Sequence, residues 1–205
     1  MIALSVDTKF ISPYALSAFV ALREKGVPFE LHEVDIDLGA QHESGYVDAS
    51  GTARIPMLEH DGFFLSESSA IAEYLDEAFP DAPPLLPRGV QERARARQVQ
   101  AWLRSDLLGL RADRSTERVF AGERLPPLGA DGRAAADKLL RFADALVPAA
   151  DGNLFGAWSI ADTDLATMLN RLVVHGDEVP AKLAGYATAQ WRRPSVAAWL
   201  ERMRR

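Results

Sequence analysis

Residues 53–71 read ARIPMLEHDGFFLSESSAI, and this stretch decides the class of the chain. IPMLEH and GFFLS have the alternation of short strands, and His60-Asp61-Gly62 between them is a tight-turn signal of the hairpin kind. Proline has no amide hydrogen to give to a ladder, so Pro56 at the mouth of the first strand belongs at an edge or a bend. From Ser66 the period changes. SESSAIAEYLDEAF places Ile71, Tyr74, Leu75 and Phe79 on one helical face. Ser66 is the candidate N-cap, and Glu67 suits the positive end of the helix dipole.

Working outward toward the N-terminus, IALSV is a short apolar strand. Residues 13–25 then set Leu16, Phe19, Val20 and Leu22 at helical spacing, and Gly26 stands where a left-handed residue ends a helix. Ser12 before Pro13 has the form of an N-cap followed by a first-turn proline. PFELHEVDI alternates as a strand, with Phe29, Leu31 and Val34 inward. The order is β-α-β, a loose segment, β-β-α. Toward the C-terminus, FPDAPPLLPRG packs four prolines into eleven residues and can continue neither a helix nor a ladder. Beyond it lie five helical segments: VQERARARQVQAWLRSDLLGL, DGRAAADKLLRFADALV, SIADTDLATMLNRLVVHG, PAKLAGYATAQW and PSVAAWLERM. The fold class is α/β plus all-α, with a small α/β domain over residues 1–79, a linker over 80–90 and a helical domain over 91–205.

Composition narrows the function. A chain of 205 residues, 48% of them hydrophobic, can bury one full core or two small ones. A formal net charge of −6 lacks the concentrated positive field that nucleic acids or anionic membranes demand. No apolar run approaches the roughly 18–20 residues that span a bilayer, and MIALSVDTKF lacks the basic and apolar regions of a signal peptide. The expectation is a soluble cytoplasmic protein. Cysteine is absent, which rules out disulfides, thiolate metal sites and a catalytic thiol of the protein's own. The four histidines, His32, His42, His60 and His175, show no close ligand spacing, so no metal is expected.

An α/β half, a proline hinge and a helical half, with Ile55-Pro56 and Leu65-Ser66-Glu67-Ser68 at their spacing, resemble the cytosolic glutathione transferases, here of a bacterial, serine-type kind. The resemblance implies a thioredoxin-like N-terminal domain with a mixed four-stranded sheet, and a C-terminal helical bundle. It implies a cis bond before Pro56, with the Ile55 backbone open to pair with the cysteinyl part of glutathione as an added strand. Glu67 would take the γ-glutamyl ammonium, and Ser68 with the helix-terminal amides the adjoining carboxylate. Arg54 and Pro56 belong to the same glutathione-binding segment, and His42 lies where relatives contact the glycyl carboxylate. Asp106 is the candidate acid reaching the ammonium from a partner subunit. A plain edge proline, ordinary capping and a surface histidine are the structural alternatives at these positions.

Ser12-Pro13-Tyr14 looks like the Cys-Pro-Tyr start of glutaredoxin-like relatives with a hydroxyl in place of the thiol. A free thiol with a pKa near 8.5 is mostly protonated at neutral pH, so a hydroxyl donor and a helix N-terminus would favour the ligand's thiolate. Ser12 is the expected sulfur contact, with Thr8 and Tyr14 as rival hydroxyls. In the helical half, Phe155–Asp162 resembles the family's buried capping segment, with Ser159 and Asp162 three apart as in a capping box. Arg93, Arg97, Arg104 and Arg111 read as a solvated stripe beside an apolar one of Val99, Leu103, Leu107 and Leu110, although Trp102, Arg104 and Asp106 could border a substrate cleft. The implied function is a homodimeric glutathione transferase that uses glutathione, without a metal, against a small hydrophobic electrophile or an organic hydroperoxide. Three alternatives stay open: an adaptor of the same fold that regulates RNA polymerase, a glutathione-dependent isomerase, and a disulfide reductase. The serine-serine-cysteine signature of the isomerase branch is missing.

Overall fold

The sheet is built around the apolar first strand, every residue of which is buried. In the computed structural model, which describes residues 1–121 and 125–203, four strands form a mixed sheet. They are β1 (Ile2–Asp7), β2 (Glu30–Val34), β3 (Met57–His60) and β4 (Phe63–Ser66), in the order β2-β1-β3-β4. β2 runs parallel to β1, with Asp7 opposite Val34. β3 is antiparallel to both neighbours, with Met57 opposite Ser5 on one side and Ser66 on the other. The expected mixed four-stranded sheet is present. Asp61 (φ 50°) and Gly62 (φ 84°) both take left-handed conformations, as the type I′ turn of a two-residue hairpin requires. β2 buries only Val34; Leu31 and Phe29 are half-buried, so its inward face is weaker than the alternation implied.

Two helices flank this sheet as expected, α1 (Pro13–Lys25) and α3 (Ser68–Ala78). Leu16, Phe19, Val20 and Leu22 of α1 are all buried, and Gly26 ends the helix at φ 66°. At the same end, Lys25 is buried. Its Nζ lies 3.0 Å from the Asp76 carboxylate and donates to the Phe79 carbonyl at 3.0 Å. One helix beside the sheet was missed, α2 (Ser44–Ser50) in the loose segment, preceded by a 3-10 turn over Ala40–His42, and a second, over Thr116–Ala121, was missed in the helical half. Ser66 is also not the N-cap. It is the last residue of β4, its buried hydroxyl donates to the Ser50 carbonyl at 2.9 Å, and the cap position falls to Glu67.

Beyond the prolines come α4 (Val90–Ser105), α5 (Leu108–Asp113), α6 (Thr116–Ala121), α7 (Ala130–Leu146), α8 (Ile160–Val173), α9 (Ala181–Trp191) and α10 (Pro194–Met203). The first expected helix is therefore two. Asp106 is extended and Leu107 left-handed (φ 63°), and the Asp106 carboxylate takes the Leu107 amide at 2.7 Å. Val99, Leu103, Leu107 and Leu110 are nevertheless all buried, so the apolar stripe survives the break. The arginine stripe is not a solvated face throughout, since Arg104 bonds Asp164 of α8 at 3.0 Å with its side chain 14% exposed.

The chain divides into two compact units, Met1–Leu85 with Pro194–Arg205, and Leu86–Arg193. The first owns the sheet, α1 to α3 and α10, which packs on α1 through Trp199. Trp199 is fully buried, with its ring 5.1 Å from Phe10 and 5.3 Å from Phe19. The second centres on α8, which is buried along nearly its whole length and packs on α4, α7 and α9. Ser159 and Asp162 form the expected capping box at its start.

Candidate functional site

Strand direction gathers the singled-out residues of the first unit at one end of the sheet. β1, β2 and β4 finish there and β3 begins there, because Ser5, Met57 and Ser66 lie side by side and Val34 stands opposite Asp7. The segments leaving that end are the Ser12 turn into α1, the His42 turn, Arg54-Ile55-Pro56 entering β3, and Glu67-Ser68 entering α3. Two helix N-termini, each the positive end of a helix dipole, therefore start from the same edge.

Ser12 is half-buried and caps α1, with its Oγ accepting the Ala15 amide at 3.2 Å and its carbonyl accepting the Leu16 amide at 3.0 Å. The cap draws on an oxygen lone pair. The hydroxyl hydrogen is a separate resource that the cap does not use. Of the rival hydroxyls, Thr8 is exposed in the turn after β1 and Tyr14 is half-buried in the first turn of α1.

The Ile55-Pro56 bond is cis, as expected. Pro56 is buried, Ile55 half-buried and Arg54 exposed, and the β3 ladder starts only at Met57. The segment is held from α2: the Tyr46 hydroxyl donates to the Arg54 carbonyl at 3.0 Å, and Ser50 Oγ accepts the Ala53 amide at 3.0 Å. Burial pushes the Tyr46 phenol up to about 12, so it remains a donor at any physiological pH. Sequence reasoning missed both Tyr46 and Ser50. The paired serine, Ser66, was visible but was assigned to a cap.

Glu67 is exposed and takes φ 71°, ψ 107°, a backbone region that costs a non-glycine residue about 1–3 kcal/mol. It is over-determined on both sides: Ser66 is locked into the ladder and onto Ser50, and the Glu67 carbonyl accepts the Ile71 amide at 2.9 Å. The following Ser68 is buried at the head of α3. The arrangement brings a carboxylate, a hydroxyl and a helix N-terminus together. That set matches a zwitterionic amino-acid head group.

His42 is exposed in its 3-10 turn. Asp106 lies in the second unit, where its carboxylate is paired with Lys138 and accepts Trp102 Nε1–H at 2.9 Å. These donors, Lys138 foremost, with the Leu107 amide next, lower its pKa to about 2. One further acid belongs to the site and was not singled out from sequence. Asp7, fully buried, accepts the amides of Ile11 at 2.7 Å and Ser12 at 3.2 Å. Burial raises its pKa against the pull of those two amides.

Comparison with known proteins identifies the family. The family model for the glutathione S-transferase N-terminal domain matches residues 11–78, and that for the C-terminal domain matches residues 89–203, more than half of the chain. The chain belongs to the glutathione S-transferase family. A crystal structure of a glutathione transferase homolog from Burkholderia, with bound glutathione, superposes with a TM-score of 0.83. It is 46% identical over 99% of this chain and 98% of that one. Glutathione S-transferase theta-3 of Mus musculus is 26% identical over 91% of this chain and 76% of its own length. Glutathione S-transferase U28 of Arabidopsis thaliana is 41% identical over 88 residues, 42% of this chain, and the match spans only 38% of that relative. Both halves of this chain thus carry the family pattern, and the thioredoxin-like fold expected of the first is present. Among the described residues no helix is long and apolar enough to cross a membrane.

Proposed function

We propose that this chain is a glutathione transferase that binds glutathione at the shared sheet end of the first unit and holds its sulfur as a thiolate on Ser12. The observation that carries the reading is the register itself, which sends Ser12, Ile55-Pro56 and Glu67-Ser68 out of one edge beside two helix N-termini. Bound glutathione in the Burkholderia relative supports it. Glu67 takes the γ-glutamyl ammonium, Ser68 and the α3 amides the carboxylate, the Ile55 backbone the cysteinyl strand, and Arg54 and His42 the glycyl carboxylate. Asp106 already gives its carboxylate to Lys138, so a ligand ammonium from a partner subunit would have to compete with that lysine. Residues 1–79 form the glutathione domain and 80–90 the linker; of the helices over 91–205, α10 packs on the first unit and the others supply the electrophile's apolar pocket. The assembly is a homodimer in the cytoplasm, where glutathione is kept reduced.

The Ser12 hydroxyl donates to the sulfur while Oγ goes on accepting the Ala15 amide. Lowering the thiol pKa by about two units needs roughly 2.7 kcal/mol, which one hydrogen bond and a helix N-terminus can supply. The thiolate then attacks an electrophilic carbon, forming C–S as the leaving group departs with its electron pair. With an organic hydroperoxide it attacks the outer oxygen: S–O forms, O–O breaks, and the alcohol leaves after protonation. A second glutathione reduces the sulfenate to disulfide and water. Titrating glutathione into the protein should produce the ultraviolet band of a thiolate at neutral pH, and Ser12→Ala should lose most of that band while retaining the ligand. An unaltered band in Ser12→Ala would remove the serine from the chemistry. A chain that is not retained on immobilised glutathione would support the adaptor reading instead.

A further inference from the structure

The chain between β1 and α1 is folded around a single side chain. Asp7 ends β1 with no solvent exposure. Its carboxylate oxygens take the Ile11 and Ser12 amides, and its carbonyl oxygen takes the Phe10 amide at 3.0 Å. Phe10 adopts φ 54° to let the backbone turn over the carboxylate, and its ring is anchored edge-on against Trp199. An apolar residue would be easier to bury at this point than an acid. The charged group that most affects Asp7 is Asp37, which is of like sign. What the acid does supply is two amide acceptors at the place where the chain must stop and enter α1.

Three contacts then define Ser12: its amide on Asp7, its carbonyl under the Leu16 amide, and its Oγ under the Ala15 amide. The last two belong to the helix. Only the first ties the serine to the sheet.

We propose that Asp7 is the positioning residue for Ser12, holding its amide so that Oγ caps α1 with a lone pair and keeps its own hydrogen for the sulfur of bound glutathione. This rests on the reading of Ser12 as the sulfur contact. Placement and charge act in opposite senses here. A carboxylate beneath Ser12 opposes a negative sulfur at Ser12, so neutralising it would raise the thiolate fraction if Asp7 acted by its charge. Losing the placement lowers that fraction although the opposing charge has gone.

The test titrates the thiolate absorbance of glutathione bound to the wild type, Asp7→Asn, Asp7→Glu, Ser12→Ala and the Asp7→Asn/Ser12→Ala pair, with affinity measured by calorimetry. Asp7→Asn should raise the pKa of the bound thiol by about one unit, so that a thiolate fraction of about three-quarters at pH 7 falls roughly threefold, with affinity held within about threefold. The double variant should fall no further than Ser12→Ala alone. An unchanged or increased thiolate fraction in Asp7→Asn overturns the proposal, as does an additional fall in the pair. Should Asp7→Asn not fold, Asp7→Glu gives the answer. It keeps the charge on an arm one methylene longer, and it should lose thiolate to a similar degree; an unchanged titration there overturns the proposal. A wild type that forms no thiolate refutes the site itself. A normal thiolate in Ser12→Ala with a reduced one in Asp7→Asn refutes the route through Ser12 alone.

Discussion

Replacing Asp162 with alanine should destabilise the chain strongly and leave ligand affinity alone. The carboxylate is fully buried and accepts four hydrogen bonds: Leu154 N–H at 2.8 Å, Ser159 N–H at 2.9 Å, Ser159 O–H at 3.0 Å and Tyr186 O–H at 2.9 Å. The two hydroxyls can turn to other acceptors, and Tyr186 already lies 3.4 Å from the Asp162 carbonyl. The two amides cannot. Leaving each unsatisfied costs about 1–3 kcal/mol. The substitution also relieves the burial that raises the Asp162 pKa, which offsets part of this. A net loss of about 3 kcal/mol results, equivalent to a fall of roughly 6–12 °C in Tm for a chain of this size. Thermal unfolding followed by circular dichroism reads the loss, and calorimetry with glutathione well below the transition reads the affinity. A shift equivalent to less than about 1 kcal/mol would refute the network. So would lost affinity in a variant that melts normally.

Two further outcomes follow from buried and exposed charge. Lys25→Ala removes the cation from the Asp76 carboxylate, whose side chain is 7% exposed and which also accepts the Leu85 amide at 2.8 Å, and should destabilise by about 3–5 kcal/mol in urea unfolding, with Lys25→Ala/Asp76→Asn recovering part of it. Recovery that fails in the double variant would mean the pair contributes by packing alone. Asp106 has a folded pKa near 2 against 3.8 in the unfolded chain, so its contribution to stability is complete above the unfolded value and is lost as pH falls toward 2. Asp106→Asn should therefore flatten the acid limb of the stability–pH curve in that window, and parallel curves for the two proteins would contradict the ion pair with Lys138.

The hairpin and α1 were legible because local chemistry decides them: Asp61-Gly62 admits two left-handed residues, and Ser12-Pro13 starts a helix without help from afar. α2 was hidden because SGYVDAS is short and buries only Ser50, so it has no apolar period to read. Its anchors are the Tyr46 hydroxyl on Arg54 and the Ser66 hydroxyl on Ser50, contacts that no local pattern announces. Ser66 was misread for a related reason. A serine at a strand–helix junction satisfies either element, and the pairing of Ser66 with Met57 settled the matter, moving the cap to Glu67. The break at Leu107 escaped notice because burial at Val99, Leu103, Leu107 and Leu110 persists across it. Of the site, the Ser12 cap could be read from residue types, while the cis bond before Pro56 and the pairing of Glu67 with Ser68 came only from the resemblance to the family. Asp7 could not, since one acid at a strand end has no signature until the chain is seen folded over it.

Trp199 gives the order of synthesis a consequence. Its indole fills the core around Phe10 and Phe19, yet it lies 180 positions after Phe19. The nascent first unit must therefore wait with two phenylalanine rings uncovered while the helical unit between them is made. A fragment ending at the prolines, made alone, would expose that same aromatic gap permanently, and self-association would be its expected fate.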